Sequence, residues 1–146
     1  MFGISLPRAT RGNRFSSATF AGTSTFTGPL LSNAEAIGYT VGAGGVVTQA
    51  TSKDTGVTLS EAVGEITMNA ASLAANTTVS FTLTNTLIGA NDLLVLNHAS
   101  GGTVGAYALN AQTAAGSAVI NVRNLTAGAL LEAVVIRFAI IKGAAS

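Results

Sequence analysis

The sequence predicts an all-β fold, a jelly-roll-like β-sandwich preceded by an extended arm, and three observations lead there. Short runs alternate apolar and polar side chains with period two, and small-residue turns rich in Gly and Asn separate them at spacings near ten residues. The alanine-rich run Ala70 to Ala75 is too short for a helix, which needs about 12 residues to be even marginal in water. The clearest run is Thr77 to Leu87, with Val79, Phe81 and Leu83 on one face and Ser80, Thr82 and Thr84 on the other. It is expected to be a central strand.

From Gly38 onward the remaining elements follow in order. Tyr39 to Gln49 reads as a first strand whose glycines, Gly42, Gly44 and Gly45, mark a bulge or the close approach of another backbone. Val57 to Leu59 is a short piece after the turn at Lys53, Asp54 and Gly56. Glu65 to Asn69 alternates, Ile66 and Met68 opposing Glu65, Thr67 and Asn69, and Ala70 to Ala75 connects it to the central strand. A turn at Gly89 to Asn91 leads into Asp92 to Asn97, an apolar run expected to be covered on both faces. Ala99 to Gly105 is a loop. Ala106 to Ala111 alternates through Tyr107 and Leu109, and Ser117 to Arg123 through either Val119 or the opposing Ile120 and Val122. Leu130 to Lys142 closes the fold, with Val134, Ile136, Phe138 and Ile140 filling the sandwich.

At 146 residues the chain suits one domain with an appendage. Charged residues make up 9% of it, against roughly 25% in an ordinary soluble protein. A surface so poor in charge implies burial against copies of itself or a partner. The last strand supplies a candidate: Val135, Arg137, Ala139 and Ile141 share a second face with no cover in sight. That face is expected to form a subunit interface in a homo-oligomer, with a trimer as first choice. No run of about 18 apolar residues offers a membrane span, and no apolar signal segment opens the chain. Cysteine is absent, which removes disulfides and cysteine-ligated metals.

Charge also divides the chain. Residues 1–35 read as a basic arm and residues 36–146 as the β-sandwich domain. Up to residue 34 the arm holds Arg8, Arg11 and Arg14 and no acid, whereas the remainder carries four bases and six acids. Apolar residues stand singly there at Phe15, Phe20 and Phe26, a pattern suited to anchoring on another subunit rather than building a core. A mitochondrial transit peptide has similar composition. A nucleic-acid tail asks for denser positive charge than three arginines, so no nucleic-acid partner is expected.

The sequence offers little for chemistry, and neither a catalytic residue nor a metal or cofactor is assigned. His98 is the only histidine, and a single histidine builds no multi-histidine metal site. Asp92 lies six positions before it with no nucleophile motif nearby. Glu61 and Glu65 are four apart, a helical rather than a strand spacing, and read as solvated. Gly42 to Gly45 lacks the Gly-Lys-Ser/Thr that completes a phosphate loop. A sugar platform would be expected to display aromatics, and only Tyr39 and Tyr107 are candidates.

Three blocks carry a resemblance. GVVTQATSKDTGVTL from Gly45 to Leu59, GEITMNAASLAANTTVSFTLTN from Gly64 to Asn85 and EAVVIRFAIIKG from Glu132 to Gly143 resemble a domain that recurs in virion structural proteins of tailed bacteriophages. The match spans about Gly38 to Ser146 and leaves the arm outside. It implies a capsid decoration, or cement, protein on the outer surface of the head, with the major capsid protein as partner. The alternative it leaves is a receptor-binding or structural module of a head or tail fibre, with a carbohydrate receptor. No shaft repeat lies between arm and domain, which favours the decoration protein.

Overall fold

Residues 37–144, which the computed structural model describes, form eight β-strands and no helix. They are β1 (Gly44–Thr48), β2 (Val57–Thr58), β3 (Val63–Thr67), β4 (Thr78–Thr84), β5 (Leu93–Ser100), β6 (Tyr107–Ala114), β7 (Ser117–Asn124) and β8 (Val135–Ile141). Two four-stranded sheets result, the first ordered β1-β3-β8-β5 and the second β2-β4-β7-β6. Successive strands switch sheets in the jelly-roll-like manner, except at the β6–β7 hairpin, where Gly116 takes a φ of +77°. Because β2 lies in the opposite sheet, β3 returns beside β1 in the same direction, and β4 returns beside β2 likewise. Both sheets are therefore mixed, each with one parallel edge pair, β1 with β3 and β2 with β4.

The alternation read from the sequence decides which side chains meet. From the first sheet Ile66, Ile136, Phe138 and Ile140 point inward, and from the second Phe81, Leu83, Ala118, Ile120 and Val122; all are buried. Ile66 pairs with Ile136 in register, and Phe81 with Ile120. Full burial of such side chains stabilises by about 1.5–3 kcal/mol each. Leu59, just after β2, lies over the first sheet where Gly45 and Gly64 leave space. A Cβ on Gly64 would stand 2.6 Å from Leu59 Cδ2 and 2.8 Å from Phe138 Cε1, so the backbone there must lack one.

Buried amides organise the connections. Asn124 Nδ2 donates to the carbonyls of Leu73, Ala74 and Gly128, while its Oδ1 accepts from Thr126 N and Oγ1. Gln49 donates to Lys53 O and Thr55 O and accepts from Asn69 N. No buried side-chain polar atom among the described residues lacks a partner, as a fold with a polar loop end requires.

Several boundaries differ from expectation. Tyr39 to Ala43 is a turn rather than part of β1, closed by Ala43 N donating to Thr40 O. Leu130 meets Leu73 in an isolated bridge, and the last strand begins only at Val135. The larger correction concerns Asp92 to Asn97. The strand formed there, β5, is an edge strand with Leu93 and Val95 exposed, so it is not covered on both faces. Its apolar run reflects an outer face that no part of residues 37–144 covers.

Candidate functional site

The outer faces of the two sheets differ in their balance of apolar and polar groups. On the second sheet β4 presents Thr78, Ser80, Thr82 and Thr84, and the strand register sets Ser80 beside Asn121 and Asn121 beside Asn110. Ser80 Oγ donates to Asn121 Oδ1 at 2.6 Å, and Asn121 Nδ2 to Asn110 Oδ1 at 2.6 Å. Hydroxyl and amide groups dominate that face, joined on β7 by the exposed Val119 and Arg123, and among the described residues no aromatic side chain points from its strands into solvent.

On the first sheet the register brings Val63, Ala139 and Val95 into one row, Ile141 and Leu93 into the next, and Thr67 and Val135 into another. Between them Glu65, Arg137 and Asn97 form a single polar row, flanked on β1 by Val46. Val46 is 79% exposed, Leu93 63%, Ile141 52% and Val95 50%. Arg137 Nε donates to Glu65 Oε1 at 2.7 Å, so the two charges in this face answer each other. An open depression of about 490 Å³ lies on this face, lined by Gly44, Val46, Val63, Val95, Arg137 and Ala139 among others, and Gly44, beside Val63, brings no side chain to it. Its composition is that of an interface core, apolar with one internally paired charge, rather than of a solvated strand surface.

The four residues proposed from the sequence, Val135, Arg137, Ala139 and Ile141, thus stand on one outward face of β8. Strand parity sufficed to group them. Parity did not reveal Val46, Val63, Glu65, Leu93 and Val95, which the neighbouring strands bring alongside. For Leu93 and Val95 the signal was the two-sided apolarity of β5, the same signal that singled out β8, whereas nothing in β1 or β3 marked Val46, Val63 and Glu65. The arm residues Arg8, Arg11, Arg14, Phe15, Phe20 and Phe26 lie outside the described residues.

The candidate catalytic groups do not converge. Asp92 and His98 lie toward opposite ends of β5. His98 Nε2 contacts Gly101 O, and its ring meets Tyr107 edge-on at 5.7 Å between centroids. Glu65 is occupied with Arg137. No group of three His, Asp or Glu side chains arranged to hold a metal occurs among the described residues.

Two polar clusters that the sequence reading passed over tie the ends of the sandwich. At one end the Glu132 carboxylate accepts from Thr103 Oγ1 at 2.6 Å, from Thr103 N at 2.9 Å and from Tyr107 OH at 2.7 Å. Those bonds hold its acidity above that of an ordinary carboxyl, while burial and then the Glu132 bond push the Tyr107 phenol up. Nearby Lys53, buried, donates from Nζ to Asn69 O and Glu132 O. Burial lowers its pKa, and the charge of Glu132 opposes the shift. At the other end Asp92 accepts from Lys142 Nζ, Gly89 N and Gly143 N, and these bonds, Lys142 first, hold its carboxyl down at about 2. Every polar group in both clusters serves a neighbouring loop, so they are staples rather than open sites.

Comparison of the chain with protein-family models, with curated proteins and with solved structures finds no match.

Proposed function

We propose that the chain is a structural protein of a tailed-bacteriophage particle, a decoration protein that self-associates on the outer surface of the head and reinforces the coat. One observation carries this reading: among the described residues the first sheet leaves a largely apolar outer face built from four strands, with its Glu65 and Arg137 charges paired to each other, while the outer face of the second sheet is mainly polar. A protein working as a monomer gains nothing from such a face and risks aggregation. A protein working as one of many copies uses it to pack. Val135, Arg137, Ala139 and Ile141 are assigned to that contact, with a trimer as the assembly. The resemblance of the three sequence blocks to virion domains supplies the setting, and it rests on those blocks alone.

The basic arm fits the second contact such a protein needs, to the major capsid protein. Arg8, Arg11 and Arg14 would meet coat carboxylates, and Phe15, Phe20 and Phe26 apolar pockets. Deleting residues 1–31 tests this in a co-sedimentation assay with particles stripped of the protein. Loss of capsid binding with an unchanged oligomer supports the assignment, and unchanged binding refutes it. A receptor-binding module is the second reading. The hydroxyl and amide face of the second sheet favours it, and binding of that face to host-surface carbohydrate would establish it.

A further inference from the structure

Among the described residues the first sheet has an uncovered edge as well as an uncovered face. In an antiparallel strand the N–H and C=O of one residue point to the same side, and successive residues alternate. Ile140 N donates to Ala62 O, and Val134 O accepts from Met68 N, so the even-numbered residues of β8 turn their backbone groups toward β3. The odd ones turn toward β5. Leu93, Val95 and Asn97, opposite Ile141, Ala139 and Arg137, therefore use their backbone groups within the sheet. Leu94, Leu96 and His98 aim theirs outward, and none of these six groups finds a hydrogen-bond partner among the described residues.

Edge strands are ordinarily protected by charge, by proline, by brevity or by a bulge. Leu93 to Ser100 contains no charged residue and no proline and is eight residues long. Its one irregularity, the register shift between His98 and Ser100, lies at the far end. The other edges differ. β2 has two residues and β1 five, while β6, equally long, turns Ala108, Asn110, Gln112 and Ala114 outward where β5 turns Leu93 and Val95.

We infer that β5 pairs with β5 of a second copy of this chain, antiparallel across a two-fold axis, joining two first sheets into one eight-stranded sheet. A strand that meets itself across a dyad must be self-complementary. An uncharged strand brings no like charges into opposition, and a dyad perpendicular to the sheet produces the antiparallel direction. The register that satisfies the most groups centres on Leu96. Leu96 then bonds Leu96 of the second copy, and Leu94 bonds His98 in both directions, so every outward group from Leu94 to His98 is paired. The bulge ends the ladder there. This contact is independent of where the chain works. It is also distinct from the packing of the sheet face, since edge and face point in perpendicular directions.

Cross-linking tests it, because the chain contains no cysteine to interfere. With Leu96 at the dyad, Val95 lies opposite Asn97 of the second copy in a pair without mutual hydrogen bonds, where Cβ atoms stand about 4.5–5.5 Å apart. A disulfide is geometrically accessible there, whereas like residues sit on a diagonal of roughly 7–8 Å. Full-length Val95→Cys and Asn97→Cys variants, each checked for a wild-type circular dichroism spectrum, are oxidised separately and as an equimolar mixture. The expected result is a disulfide-linked 95–97 dimer forming at least tenfold faster in the mixture. Absence of a linked dimer, or equal rates in mixture and single variants, overturns the pairing. Amide hydrogen exchange of the wild-type chain gives a variant-free reading. The amides of Leu94, Leu96 and His98 should slow by tenfold or more as concentration rises through the association range, and fast exchange at every concentration overturns the proposal.

Discussion

Ala139→Lys places a charge in the middle of the first sheet's outer face, between Val63 and Val95. In a solitary chain this side chain points into water, and a surface substitution of this kind shifts stability by no more than about 0.5 kcal/mol. In the assembly the ammonium would be buried against apolar neighbours with Arg137 already committed to Glu65. An uncompensated buried charge costs on the order of 3–5 kcal/mol, and ~3 kcal/mol already corresponds to more than a 100-fold weaker Kd. Sedimentation velocity over a concentration series should therefore show the variant dissociating at concentrations at least 100-fold higher than the wild type, while its thermal melt as a monomer stays unchanged. An identical mass distribution for variant and wild type would refute the assignment of this face. A variant that melts early as a monomer would show instead that the residue supports the fold.

Other expectations follow from the interior and the ends of the sandwich. Asn124→Ala removes five hydrogen bonds from a residue with no solvent exposure, and urea unfolding should register a loss of about 2–4 kcal/mol; a loss below ~1 kcal/mol would mean that water replaces the amide. Gly64→Val drives a side chain into Leu59 and Phe138 and should cost about 1–3 kcal/mol by overpacking in the same assay. The pH dependence has a defined sign. Asp92, held at about 2 in the folded chain, contributes stability that is fully present above its unfolded value near 3.9 and is lost as pH falls toward 2. Glu132, also shifted downward, acts in the same direction. The urea midpoint should decline through that window, and Asp92→Asn should flatten the decline; an equal decline in the variant would remove Asp92 from the account.

Much of the fold was legible because a sandwich strand advertises its buried face at period two. Val79, Phe81 and Leu83 on β4, and Ile136, Phe138 and Ile140 on β8, turn inward as alternation requires. Strand order was not legible, because neither parity nor turn spacing says that β3 will sit between β1 and β8. For that reason β8's own outward residues could be grouped, but Val63, Val95 and the Glu65–Arg137 pair across three strands could not. The β5 error has the same origin. Apolar residues on both faces of a strand are compatible with burial on both sides or with an outer face that awaits a partner, and only strand order separates the two. The loop staples escaped for a different reason: Asn124, Gln49 and Glu132 work through backbone groups of distant loops, a relation with no period to detect.

The most direct test is the number of copies of this chain per copy of the major coat protein in purified virions, counted by quantitative mass spectrometry with isotope-labelled peptide standards. A ratio approaching that of the coat is the predicted result, as expected of a protein spread over the whole head. A handful of copies per particle would contradict the decoration role and move the chain to a vertex fibre or the tail. Its absence from the particle would contradict the virion assignment itself.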